Sequence, residues 1–268
     1  MNKTNIAWTD FTWNPITGCT MVSNGCKNCY AKAVHERFYD TPFSDIVFHK
    51  DRLIEPSKTK KPAKIFVGSM TDLFQDGVNW NMLDEIMKVV INNPQHIFQI
   101  LTKRADNMKR YFTQRYSELD SLFFDNEDML ENGVIPNLWL GVTAENQETA
   151  DERIPALIDT PASKRFISIE PMINEITLEK LHRKLIDGEP AYPCAEEYLF
   201  DLDWVIVGGE TGAKSVTREM KAEWVQRIYE DCRSHNTPFF FKQWGTHKPT
   251  EKYFFEDIKE YPNENFRG

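Results

Sequence analysis

Short apolar runs recur along the chain, each followed by a polar turn and then by an amphipathic stretch. Phe11–Thr17 alternates aromatic and β-branched residues up to Gly18 and predicts a first strand. Six further runs predict strands: Lys64–Gly68, His96–Leu101, Asn137–Thr143, Arg165–Glu170, Asp203–Gly208 and Pro238–Lys242. Helices are predicted over Tyr30–Phe38, Asn81–Asn92, from about Ala105, over Glu148–Ile158, around Leu178–Leu185, and over Lys221–Ser234, each with apolar residues at helical spacing. The segment 117–136 is acidic and weakly patterned, which reads as an excursion, and residues from about 246 read as a C-terminal extension.

Near-continuous apolar strands separated by helical crossovers suit a parallel sheet buried on both faces. The expected fold is therefore α/β: a partial or complete (β/α) TIM-type barrel with parallel strands, formed as a single domain over residues 1–268. Polar residues gather at the C-terminal ends of the predicted strands: Asp72, Lys103, Thr143, Glu170, Glu210, Lys242 and Gln243. A barrel places its site there, and an open doubly wound sheet would do the same.

Composition narrows the picture. A 41% hydrophobic content with 13% aromatics supports a sizeable core. The N-terminus, Met1–Trp8, has no apolar signal region, and no run of about eighteen apolar residues exists to cross a membrane. The expected location is the cytoplasm. A net charge of −9 argues against a surface coated with nucleic acid but leaves room for one local groove. Two basic clusters could line such a groove: Lys58, Lys60, Lys61 and Lys64, and Lys103, Arg104, Lys109, Arg110 and Arg115. A solvated face is the ordinary reading of each.

The chemistry concentrates in Gly18–Tyr30, where Cys19, Cys26 and Cys29 are spaced C-x6-C-x2-C. Gly18 and Gly25 supply the tight turns such a loop requires. Three thiols so close, in a chain expected to be reduced, point to a metal centre and not to a disulfide framework. Structural zinc takes four ligands, and the nearest fourth candidate is His35 on the predicted helix. A [4Fe–4S] cluster held by three cysteines leaves one iron open for a small ligand. The loop position at a barrel mouth favours the cluster, with a zinc-binding interaction module for nucleic acid or protein as the alternative. Cys194 and Cys232 stand alone and read as small buried hydrophobes. Dinucleotide-binding fingerprints and P-loops are absent.

Several long motifs follow in one order: Ala7–Cys19, Gly25–Tyr30, Gly141–Gln147, Ala150–Ile154, Ser168–Pro171, Trp204–Gly212 and Phe239–Gly245. In these the chain resembles the radical S-adenosylmethionine (radical SAM) superfamily, and more closely a largely phage-associated, radical-SAM-like family with this three-cysteine motif. The first cysteine spacer is six residues where three is the superfamily's usual spacing. The Gly-Gly-Glu element, Gly208–Glu210, follows the sixth strand where the superfamily's follows the second.

The resemblance implies a radical SAM enzyme. Cys19, Cys26 and Cys29 would ligate a [4Fe–4S] cluster whose open iron chelates S-adenosylmethionine, with an external one-electron reductant. Ser69 and Asp72 would lie near the methionyl amino group, and Thr143 and Glu170 near the ribose. Gly208 and Gly209 would let backbone approach the cofactor, and Lys103 and Lys242 would meet a phosphate or the cofactor carboxylate. Glu170, Glu210 and Lys242 are the candidate catalytic groups, with ion pairing across the mouth as the plainer reading of both glutamates. Trp13, Trp244 and Tyr30 are candidates to stack on a base. The phage association implies a nucleobase, nucleotide or DNA substrate, such as a hypermodified thymine, and an isomerase, mutase or lyase outcome. The sequence sets no oligomeric state.

Overall fold

All seven expected runs form strands in the computed structural model, which describes residues 1–115, 134–178 and 201–263. In chain order the strands are β1 (Asn2–Lys3), β2 (Phe11–Trp13), β3 (Ile16–Thr17), β4 (Val47–Phe48), β5 (Lys64–Val67), β6 (Ile97–Thr102), β7 (Leu138–Thr143), β8 (Lys164–Ile169), β9 (Trp204–Gly208) and β10 (Phe239–Gln243). The main sheet runs β1-β2-β5-β6-β7-β8-β9-β10, and every pair from β2 to β10 is parallel. Parallel strands laid down in sequential order are the winding of a (β/α) barrel. Among the described residues no pairing joins β10 back to β2, so the barrel is partial.

Both open edges are covered. β1 pairs antiparallel with β2. On the far side, Phe241 N–H donates to Ile258 O and Glu260 N–H to Phe239 O, so the C-terminal segment shields β10. Covering an exposed edge removes a template for aggregation. The first expected strand divides in two at Asn14-Pro15. Pro15 has no N–H for a ladder, and β3 turns away to pair antiparallel with β4.

The helices are α1 (Tyr30–Phe38), α2 (Trp80–Ile91), α3 (Ala105–Arg110), α4 (Gln147–Ile158) and α5 (Ala222–Ser234). Strand side chains alternate between two cores. On the helix side, Ile65, Val67, Phe98, Ile100, Val142 and Val205 pack with Leu83, Ile86, Ile154 and Ile228. On the inner side, Trp8, Phe66, Trp139, Phe166, Trp204 and Phe240 form an aromatic floor. Trp8 stands edge-on to Phe66 and Trp204, with ring centroids 4.9 and 6.1 Å away.

α1 departs from the expectation its pattern raised. Its bounds agree, yet the stripe Tyr30, Val34 and Phe38 faces solvent, and Ala31 and His35 are the residues it buries. Most of the expected excursion and the helix expected around 178–185 lie outside the described residues. In the C-terminal extension Phe255 packs on Phe241 and Trp244. No helix among the described residues is long and apolar enough to cross a membrane.

Candidate functional site

β3 delivers the chain to Gly18, which bridges to Thr71 in the turn after β5. Gly18 N–H donates to Met70 O, and its carbonyl accepts from Thr71 Oγ1 and Gln75 Nε2, both at 2.6 Å. Its φ of +96° is the left-handed backbone that glycine adopts without strain. Cys19 N–H then donates to Phe43 O at 2.7 Å. A 3-10 turn over Asn24–Cys26 follows, and Cys29 becomes the N-cap of α1.

The three thiols are unpaired and partly exposed. They line one cavity of about 400 Å³ together with Met21, Lys32 and Phe43. Burial, and then the Asp72 carboxylate, push the Cys19 thiol up to about 11, although Arg104 works against them. Binding a metal there must therefore expel a tightly held proton.

Tetrahedral zinc with bonds of about 2.3 Å draws its sulfurs to within about 3.8 Å of one another. Among the described residues no group of three or more His, Cys, Asp and Glu side chains is gathered to hold a metal ion of either kind, zinc or iron. His35, the expected fourth ligand, is buried and turned aside, with Nε2 2.8 Å from Thr41 O. Three thiols lining one cavity are a donor set that a multi-iron cluster can take, each sulfur on a different iron.

Three buried carboxylates tether the cysteine loop to the sheet. Asp72, after β5, accepts from Thr102 Oγ1, Lys103 N–H, Phe74 N–H and Arg104 Nη1, and Arg104 Nη2 reaches Thr20 O and Oγ1. Glu145, after β7, accepts from Ser23 Oγ at 2.7 Å, and Arg153 and Lys103 pair with it at 3.0 and 3.5 Å. Gly25 packs directly on that carboxylate, where any Cβ would overlap Oε1. Glu210, after β9, is held by the Arg218 guanidinium in two places, and Arg218 Nη2 donates to Asn24 O at 3.1 Å. Thr20, Ser23 and Asn24 are thus fixed by three different strand ends.

The expected site residues gather at the same rim. Ser69 Oγ exchanges hydrogen bonds with the Asn14 side chain, and the Ser69 carbonyl accepts from Tyr30 Oη at 2.6 Å. Thr143 is buried, with its carbonyl taken by Arg153. Glu170 pairs with Lys242 at 2.6 Å, and Gly208 lies against the Glu170 side chain. Gly209 crosses the Trp244–Gly245 backbone so closely that a Cβ would overlap Trp244 O. Every oxygen of Asp72 has protein donors, so a cofactor amino group there would have to share them. Of the candidate stacking residues, Trp13 and Trp244 are core and Tyr30 is exposed. Lys58, Lys60 and Lys61 lie at the strands' N-terminal ends, beside a separate cavity of about 800 Å³. Glu145, Arg153 and Arg218 went unassigned in the sequence reading, although the first two stand inside the motifs Gly141–Gln147 and Ala150–Ile154.

A family model described as a protein of unknown function, DUF5131, matches residues 3–265, and the chain belongs to that family. No curated protein matches it. Among solved structures it is similar to spore photoproduct lyase complexed with dinucleoside spore photoproduct, at 11% identity and a TM-score of 0.45 over 86% of this chain. It is also similar to a cysteine-to-alanine mutant of that enzyme with the same dinucleoside, at 10% identity and a TM-score of 0.49, over 90% of this chain and 78% of the other. The chain spans 62% of the length of the first. Likeness at this level assigns no residue, ligand or activity to this chain.

Proposed function

We propose that the chain is a radical SAM enzyme acting on a nucleobase, with Cys19, Cys26 and Cys29 as the ligands of a [4Fe–4S] cluster. The observation that carries the proposal is that three unpaired thiols line one cavity at the C-terminal rim of a parallel partial barrel. When bound, the cluster and S-adenosylmethionine supply a 5′-deoxyadenosyl radical that abstracts a substrate hydrogen.

The chain's own residues do the rest. The tethers from Asp72, Glu145 and Glu210 hold the ligand loop rigid, which a site of fixed geometry requires. Lys103, on the rim beside Glu145, offers a cation for the cofactor carboxylate or a substrate phosphate. Ser69 is the half-buried member of the neighbouring strand ends and would meet the cofactor directly, whereas Thr143, Gly208 and Gly209 are buried behind it and would shape the rim through their packing. Glu170 and Lys242, an ion pair with both side chains partly buried, would accept and return a proton on the substrate. Glu210 is committed to Arg218 and serves the loop, with a catalytic share only if that pair opens. The electron comes from an external one-electron reductant. A rearrangement that conserves all substrate atoms, as in an isomerase or mutase, fits this equipment as well as bond cleavage does, and a modified thymine in phage DNA is the favoured target.

The test is anaerobic incubation of reconstituted protein with S-adenosylmethionine and dithionite. Release of 5′-deoxyadenosine, lost in Cys26→Ala and kept in Cys232→Ala, is the expected result. Iron-loaded protein that never releases it, with or without oligonucleotide, would overturn the proposal.

A further inference from the structure

α1 buries only Ala31 and His35 of its nine residues. Its outer surface carries Tyr30 and Phe38, and Tyr39 follows at the helix end; these are 52%, 67% and 58% exposed. Exposed aromatic rings grouped on one short helix are a cost in water unless something covers them. The rings are also held in place. Tyr30 Oη donates to Ser69 O, the Arg37 guanidinium lies 5.4 Å from the Phe38 ring centre, and Tyr39 stacks on His35 at 4.9 Å. Rings ordered in advance lose little entropy when a ligand stacks on them.

Charge decides what would cover them. Residues 27–39 hold Lys27, Lys32 and Arg37 against one acidic residue, Glu36, in a chain whose net charge is −9. Lys32 pairs with Glu36 at 3.7 Å, while Lys27 and Arg37 are exposed. Ordered aromatic faces interleaved with cations complement a chain of flat rings joined by phosphates. A duplex hides its base faces, whereas a single strand offers them. Tyr30 and Phe38 are about 12 Å apart along the helix axis, enough for more than one base. The strip begins at the cysteine cavity, which Lys32 itself lines.

The geometry points to the outer face of α1 as a binding strip for single-stranded nucleic acid, leading it to the cysteine cavity. This deepens the proposed function by naming the form of the substrate, and it rests on that function only for where the strand goes.

Fluorescence anisotropy with a short labelled oligothymidylate tests it on the full chain, reconstituted and unreconstituted. Wild type is expected to bind, and Phe38→Ala to weaken binding roughly tenfold, the worth of one stacked base. Lys27→Ala combined with Arg37→Ala is expected to lower the slope of log affinity against log salt by about 1.4, two phosphate contacts on a single strand. Lys60→Ala with Lys61→Ala, at the other end of the barrel, is expected to change nothing. All five positions lie away from the core, and an unchanged Tm confirms that each variant is folded. The inference is overturned if no binding occurs at low salt, or if the Lys60 and Lys61 variant loses binding while the α1 variants keep it. It is also overturned if light scattering finds a dimer that Phe38→Ala dissolves, which gives the face to a second copy. Oligonucleotide binding requires no cofactor cleavage. A protein that binds the strand but releases no 5′-deoxyadenosine keeps this inference and loses the radical SAM proposal.

Discussion

Glu145 shows how much one side chain carries here. Its carboxylate is 1% exposed, and it meets a guanidinium, an ammonium and a hydroxyl, one of which belongs to the cysteine loop. Burial alone would raise its pKa, but Lys103, Arg153 and the Ser23 hydrogen bond outweigh burial and hold it below 4.5. A depressed carboxylate contributes stability above its unfolded pKa, and that contribution is lost as pH falls through the folded value. Denaturant unfolding should therefore show wild type weakening on acidification below about pH 4.5, and Glu145→Gln should lack that part of the dependence. Glu145→Ala strands Arg153, 3% exposed, without its charge partner. We expect it to cost about 3–5 kcal/mol at neutral pH; a loss under 1 kcal/mol would mean that the triad is incidental. Sequence pattern could not single out Glu145. It is one acidic residue after a strand, and its three partners come from positions 23, 103 and 153, which only the fold brings together. The cysteines were legible because their chemistry and their spacing coincide.

At the scale of elements, the cysteine loop behaves as a span pinned at three strand ends. Arg218→Ala removes the donor to Asn24 O and leaves buried Glu210 without its charge partner. Amide hydrogen exchange should then speed up over residues 23–29 while β6 to β8 stay protected; unchanged exchange in the loop would show that the other tethers suffice. The seven parallel strands were readable because each is an apolar run bounded by turn residues. β1, β3 and β4 were not, since two residues carry no period. The strand predicted over Phe11–Thr17 joined two elements, because its alternation continues across a proline that ends the ladder. α1 was legible in its bounds and not in its facing. Helical spacing says which residues share a side, not whether that side meets protein or solvent, and here Tyr30, Val34 and Phe38 take the outside.

For the molecule as a whole, the partial barrel separates two tasks. The aromatic floor around Trp8 fills the inner face at one end and leaves the C-terminal rim to the polar groups. Trp8→Ala removes the ring that Phe66, Phe166 and Trp204 pack against. We expect a loss of about 3–5 kcal/mol, read as a lower urea midpoint with little change in slope. Iron retention per folded chain should not change, because the floor and the cysteine loop share no residue. A Trp8→Ala protein of wild-type stability would contradict the packing described.

The central claim is that Cys19, Cys26 and Cys29 share one cluster with an iron left open. Electron paramagnetic resonance of the anaerobically reconstituted, dithionite-reduced protein, recorded with and without S-adenosylmethionine alongside an iron and zinc analysis, tests it most directly. The account predicts about four irons per chain, a reduced-cluster signal that changes shape when S-adenosylmethionine is added, and no cluster in Cys26→Ala. A colourless protein with one zinc per chain, or a signal indifferent to S-adenosylmethionine, would contradict it.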